Sequence, residues 1–124
     1  MFKLVTLIPT LGRQTLQRSL QSIANQTKTP DEVIIISEKE IEQYSHENLG
    51  LTYIQNTRTR NLSGAINTGI EYLLNRGWIP EETYITILDD DDEWEPTYLQ
   101  KCHEKAINKG LDQVVAGIIR HTSK

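Results

Sequence analysis

The chain has 124 residues, a single cysteine and a formal net charge of −4, from 13 Lys and Arg against 17 Asp and Glu. The length predicts one domain around one core; the acidic balance argues against a nucleic-acid partner, which would call for a basic face; and with only Cys102 no intrachain disulfide can form. No segment approaches the roughly 20 apolar residues needed to span a bilayer, and Leu4–Ile8 is too short and strand-like for a signal peptide, so the expected location is the cytoplasm, with peripheral association at the inner face of a membrane left open.

The elements alternate along the chain. Leu4–Ile8 reads as a first strand. Gln14–Asn25 reads as a helix with Leu16, Leu20, Ile23 and Ala24 on one face, and Thr29-Pro30-Asp31 ends it. Val33–Ile36 is a short continuous apolar run, as a strand covered on both faces requires. Glu38–Glu47 is polar and reads as either a short helix or a surface loop. Leu51–Gln55 is a weaker third strand. Ser63 is placed to cap a helix that runs to about Asn75 and stops at Gly77, with Ala65, Ile66, Gly69, Tyr72 and Leu73 inward and Gly69 allowing close approach to the sheet. Tyr84–Leu88 is a fourth strand; Pro96 suits the first turn of a helix continuing to Lys109, with Gly110 as its stop; Val114–Ile119 is a fifth strand. This alternation predicts an α/β fold with a mostly parallel sheet of about five strands flanked by helices. An apolar strand so near the last residue predicts that the chain is the amino-terminal part of something longer or that a partner covers that side; an exposed final strand also makes a homodimer plausible.

The most informative segment is Asp89-Asp90-Asp91-Asp92, directly after the fourth strand. Adjacent carboxylates repel, and acidic runs are often only solvated turns. Here a strand precedes the run, a helix follows it and no Lys or Arg neighbours it in sequence. The end of a strand is where open α/β sheets place their ligands, and hard divalent cations prefer carboxylate oxygens. The expectation is a cation that carries a phosphate ligand. Cys102 and His103 are adjacent on a helix and point apart, so they do not make a zinc site, and His46 and His121 have no partner at metal spacing. Neither a Gly-x-x-x-x-Gly-Lys phosphate loop nor a Gly-x-Ser-x-Gly nucleophile turn is present.

Four segments taken together resemble family 2 glycosyltransferases: Val5–Arg13; Leu16, Leu20, Ser22, Ile23 and Gln26-Thr27 with Asp31–Ile36; Arg60–Ile70; and Leu88–Pro96, which is similar to the family's Asp-x-Asp metal motif with the following Trp and Pro. The resemblance spans essentially the whole chain. It implies a Rossmann-like GT-A fold over residues 1–124, forming a nucleotide-diphospho-sugar-binding domain that lacks the acceptor-binding part. It further implies an inverting hexosyltransferase activity of the kind used in polysaccharide biosynthesis, with a saccharide or lipid-linked acceptor, the general base lying beyond this chain, and the chain acting alone binding donor but transferring sugar poorly.

By the same resemblance, Pro9, Thr10 and Leu11 lie along the base and ribose of the donor, and Arg13 is either a diphosphate contact or a solvated helix-start residue, the second being the plainer reading. Asp91 ligates Mg²⁺ or Mn²⁺, Asp89 contacts the ribose or completes the metal site, and Asp89 and Asp91 serve catalysis through the metal. Asp90 borders the nucleotide-sugar, or pairs with Asp92 as the two acids of the motif if the run aligns one residue along, and Asn67 hydrogen-bonds near the donor.

Two departures stand out. Ser37-Glu38 replaces the base-reading Asp at the end of the second strand, leaving a hydroxyl at that position with Glu38 as substitute. Ile66 stands where many members carry Arg, with Arg58 and Arg60 nearby as alternative sources of positive charge. These departures keep a catalytically inactive nucleotide-binding module in view. A nucleotidyltransferase on a related fold is the third reading, disfavoured because Pro9-Thr10-Leu11-Gly12 is not a Gly-rich loop.

Overall fold

A computed structural model describes residues 3–46, 49–79 and 82–109. Within them the elements run β1 (Lys3–Thr10), α1 (Thr15–Ala24), β2 (Glu32–Ser37), β3 (Leu51–Gln55), α2 (Leu62–Asn75), β4 (Thr83–Ile87) and α3 (Tyr98–Lys109). The four strands form one sheet in the order β3-β2-β1-β4, and every pairing is parallel. This is the α/β architecture with a parallel sheet that the alternation predicts. The fifth strand expected over Val114–Ile119 lies outside the described residues.

Alternation along the two central strands divides the core. Leu4 and Ile8 of β1 with Val33 and Ile35 of β2 face α1, where they meet Leu16, Leu20 and Ile23 together with Leu88, Trp94 and Leu99. Val5, Leu7, Ile34 and Ile36 face the other way, onto Ala65 and Leu73 of α2. The run Val33–Ile36 is therefore apolar without interruption because both of its faces are covered. The approach of α2 is close: a Cβ on Gly69 would lie 3.1 Å from a Leu7 methyl, as the sequence reading anticipates.

Two boundaries differ from expectation, each for a local reason. Helix α2 is capped by Asn61 and not by Ser63: the Asn61 side chain accepts from the Gly64 N–H at 2.7 Å, and the Asn61 carbonyl starts the helical ladder by accepting from Ala65 N–H. Gly64 is required there, since a Cβ would sit 1.9 Å from the Thr59 carbonyl oxygen. Helix α3 begins at Tyr98, two residues after Pro96, because the Pro96 carbonyl is already taken by Thr27 N–H at 2.8 Å. Of the two readings open for the polar stretch after β2, the surface loop holds: residues 38–46 form no helix and cross the surface as irregular chain, anchored where the Tyr44 N–H donates to the Tyr53 hydroxyl at 2.8 Å.

A candidate site at the carboxyl edge of the sheet

In this strand order β1 is flanked by β2 on one side and by β4 on the other. The chain leaves β1 toward α1, then β2, and returns much later to β4, so the carboxyl ends of β1 and β4 are where successive connections diverge and a crevice opens between them. The loop after β1 carries Leu11–Gln14 and the loop after β4 carries the four aspartates. Pairing of β4 with β1 is extended by the Leu88 N–H, which donates to the Leu7 carbonyl at 3.0 Å. The acidic run then turns at once, closed by the Asp92 N–H donating to the Asp89 carbonyl at 3.1 Å.

Each of the four carboxylates has its own setting. Asp90 is 6% exposed and points back into the β1 loop, where it accepts from the Thr10 hydroxyl at 2.6 Å and from the Leu11 N–H at 3.3 Å. It joins the two loops. Asp89, Asp91 and Asp92 each bring a carboxylate oxygen to within 4.8 Å of the others. Oxygens ligating one Mg²⁺ at about 2.1 Å lie about 3 Å apart when adjacent and about 4.2 Å apart across the ion, so the three carboxylates are of the kind and in the neighbourhood that a small divalent cation needs, and would draw closer together to hold it. Asp92, which the sequence reading brings in only through the alignment shifted by one residue, is also the most buried of the trio, at 1% exposure.

Helix α1 holds this loop from behind. Its buried face carries a polar stripe of Ser19 and Ser22, continued just past the helix by Gln26. The Ser19 hydroxyl donates to the Asp92 carbonyl at 2.5 Å, the Ser22 hydroxyl accepts from the Trp94 N–H at 3.2 Å, and the Gln26 amide donates to the Glu95 carbonyl at 2.7 Å while accepting from the Leu99 N–H at 3.0 Å. The stripe thus fixes the backbone of an otherwise irregular segment, whose buried polar groups would need partners in any case. Trp94 seals it, stacked on Tyr98 at 4.9 Å between ring centroids. Burial, reinforced by neighbouring Cys102, pushes the Tyr98 phenol up to about 12, so it stays neutral. In sequence the stripe is visible only as three polar residues spaced i, i+3, i+7 among the apolar ones of an amphipathic helix.

In front of the acidic loop lies an open cleft of about 590 Å³. Pro9, Thr10, Leu11, Glu38, Asp89, Asp90 and Asp91 all border it. Ser37 does not: its hydroxyl turns toward the Ile54 carbonyl at 3.5 Å and the residue is 6% exposed. Asn67 lies on the exposed surface of α2, away from the cleft lining. Glu38 is held at the opposite wall by the Asn56 side-chain amide, at 3.0 and 3.2 Å from its two oxygens. Asn56 is itself fixed, accepting from the Arg58 N–H and the Thr68 hydroxyl. Positive charge reaches the cleft through Arg13 and Arg60, whereas Arg58 pairs with Glu71 and Ile66 packs with the α2 core. A smaller cavity of about 320 Å³ lies beside Lys3 and Thr83, at the opposite end of the sheet from the carboxylates.

The model of a family described as "Glycosyl transferase family 2" matches residues 6–124. Among solved structures, TarS of S. aureus is similar over 88% of this chain and 20% of its own, with 17% identity and a TM-score of 0.61. Residues 1–349 of TarS in complex with UDP-GlcNAc match over 86% of this chain and 32% of that one, at 15% identity and a TM-score of 0.59. The mannosyltransferase PcManGT from Pyrobaculum calidifontis, in complex with GDP-Man and Mn²⁺, matches over 74% of this chain and 28% of its own, at 19% identity and a TM-score of 0.55. At these identities the likeness is one of fold, and the chain spans between a fifth and a third of the length of these structures. No curated protein matches the sequence.

Proposed function

This chain belongs to glycosyl transferase family 2, and on that premise we propose that its cleft binds a nucleotide-diphosphate sugar together with Mg²⁺ or Mn²⁺, as the donor-binding part of a sugar transferase. The observation that carries the reading is the convergence of Asp89, Asp91 and Asp92 at the carboxyl edge of the sheet, with Asp89 and Asp91 bordering a cleft that Arg13 and Arg60 also line. Asp91 and Asp89 would hold the cation, with Asp92 as the third carboxylate. The bound cation would neutralise charge that develops on the nucleoside diphosphate as it leaves. Pro9, Thr10 and Leu11 would border base and ribose, and Glu38, oriented by Asn56, would offer the nucleobase a charged acceptor in place of Ser37. Asp90 would act through the loop it anchors. Two of the structural neighbours were solved with nucleotide sugars, and one of these with Mn²⁺ as well, which supports the ligand class. Transfer to an acceptor hydroxyl, with inversion, belongs in this reading to the whole protein, with a saccharide or lipid-linked acceptor.

Calorimetric titration with UDP-, GDP- and dTDP-sugars, with and without Mn²⁺, tests the proposal. One donor nucleotide should bind only when Mn²⁺ is present, and Asp91→Asn should weaken that binding at least about tenfold, the loss of one charged ligand. Binding indifferent to Mn²⁺ would replace the reading with that of an inactive nucleotide-binding module.

A further inference from the structure

Arg13 stands in front of the acidic loop. Its guanidinium Nη1 lies 3.4 Å from Asp91 Oδ2 and 3.8 Å from Asp90 Oδ1, while its side chain stays 51% exposed. Arg13 therefore has room to move, and it borders the same cleft as the carboxylates. Asp90 keeps the Thr10 hydroxyl and Leu11 N–H as partners whatever Arg13 does. The Arg13 contact thus matters chiefly to Asp91, whose carboxylate is one of the three that converge.

We infer that Arg13 is an exchange residue: it occupies Asp91 in the unloaded chain, is displaced when a divalent cation takes that carboxylate, and then moves to the diphosphate that arrives with the cation. The inference rests on the donor-site reading above. Its physical basis is competition between like charges for one anion. A cation bound to Asp91 would face a positive charge a few ångströms away, which is unfavourable even at a partly solvated site. A diphosphate relieves that repulsion and offers the planar guanidinium two oxygens at once. Arg13 then lowers affinity for the bare cation and raises affinity for cation and diphosphate together, so each ligand strengthens the binding of the other by the same factor.

Mn²⁺ binding to the full chain, followed by electron paramagnetic resonance with and without a saturating nucleoside diphosphate (UDP and GDP in turn), reads this directly. Arg13→Gln should bind Mn²⁺ alone about 3- to 10-fold more tightly than the native chain, and should lose most of the enhancement that the nucleotide confers, as expected when one exposed charge is removed. Arg13→Lys keeps the charge and should leave affinity for Mn²⁺ alone near the native value, while giving back only part of the enhancement. If Arg13→Gln binds Mn²⁺ alone no better than the native chain, the exchange is wrong although the cation site stands. Absence of Mn²⁺ binding in all three proteins, with and without nucleotide, would overturn the exchange and the donor-site reading together.

Discussion

Thr10 shows how a single side chain can join two loops of a site. Its hydroxyl is buried, donates to Asp90 at 2.6 Å and accepts from the Gly12 N–H at 2.9 Å. One oxygen thus shapes the turn after β1 and ties it to the turn after β4. Thr10→Val keeps the shape and β preference but strips both bonds, leaving the Asp90 carboxylate with fewer donors in a buried place. A loss of about 1–3 kcal/mol is expected in urea unfolding, with Thr10→Ser restoring most of it. A Val variant as stable as the native chain would show that the two loops are held by something else. Asp90 also illustrates what identical neighbours in sequence conceal: of four consecutive aspartates, one turns inward as an anchor while the other three converge.

At the scale of elements, α1 does two jobs with one face. Leu16, Leu20 and Ile23 bury against the sheet, and the stripe begun by Ser19 and Ser22 grips the backbone between β4 and α3. Gln26, just beyond the helix, completes the grip with bonds from both ends of its amide. Gln26→Met preserves length and flexibility but leaves the Leu99 N–H and the Glu95 carbonyl short of a partner. Unfolding free energy should fall by about 1–3 kcal/mol, and hydrogen exchange at Trp94 and Leu99 should quicken. If exchange there is unchanged, the stripe is dispensable. The late start of α3 belongs to the same arrangement, because a carbonyl that a longer helix would use internally is given to Thr27. Local propensity alone would have begun the helix at Pro96.

For the molecule as a whole, stability is shared between two apolar layers separated by one sheet. Adjacent residues of β2 serve opposite layers: Ile34 packs toward α2 and Ile35 toward α1, and both are fully buried. Ile34→Ala and Ile35→Ala should therefore cost similar amounts, about 2–5 kcal/mol each, in chemical denaturation. A much smaller cost on one side would mean that its layer is loosely packed. No helix among the described residues is long and apolar enough to cross a membrane. The cleft sits where the sheet's own topology puts it, at the divergence of β1 and β4.

Much of this was legible in the chain itself. Short apolar runs and period-3.6 patterning, with Pro and Gly as punctuation, locate the seven elements among the described residues to within a few residues, because an element must hide one or both faces from water and the placing of its apolar residues records it. The acidic quartet and the residues after β1 mark the site for the same kind of local reason. Tertiary structure alone decided the rest. It brought Arg13 to Asp91 across 78 positions, singled out Asp90 as an anchor, added Asp92 to the carboxylate trio, turned Ser37 away and placed Glu38 at the cleft wall. These are pairings between charged and polar groups far apart in the chain. Such groups leave no periodic trace in a sequence, because the partner that satisfies each of them is chosen only when the strands align.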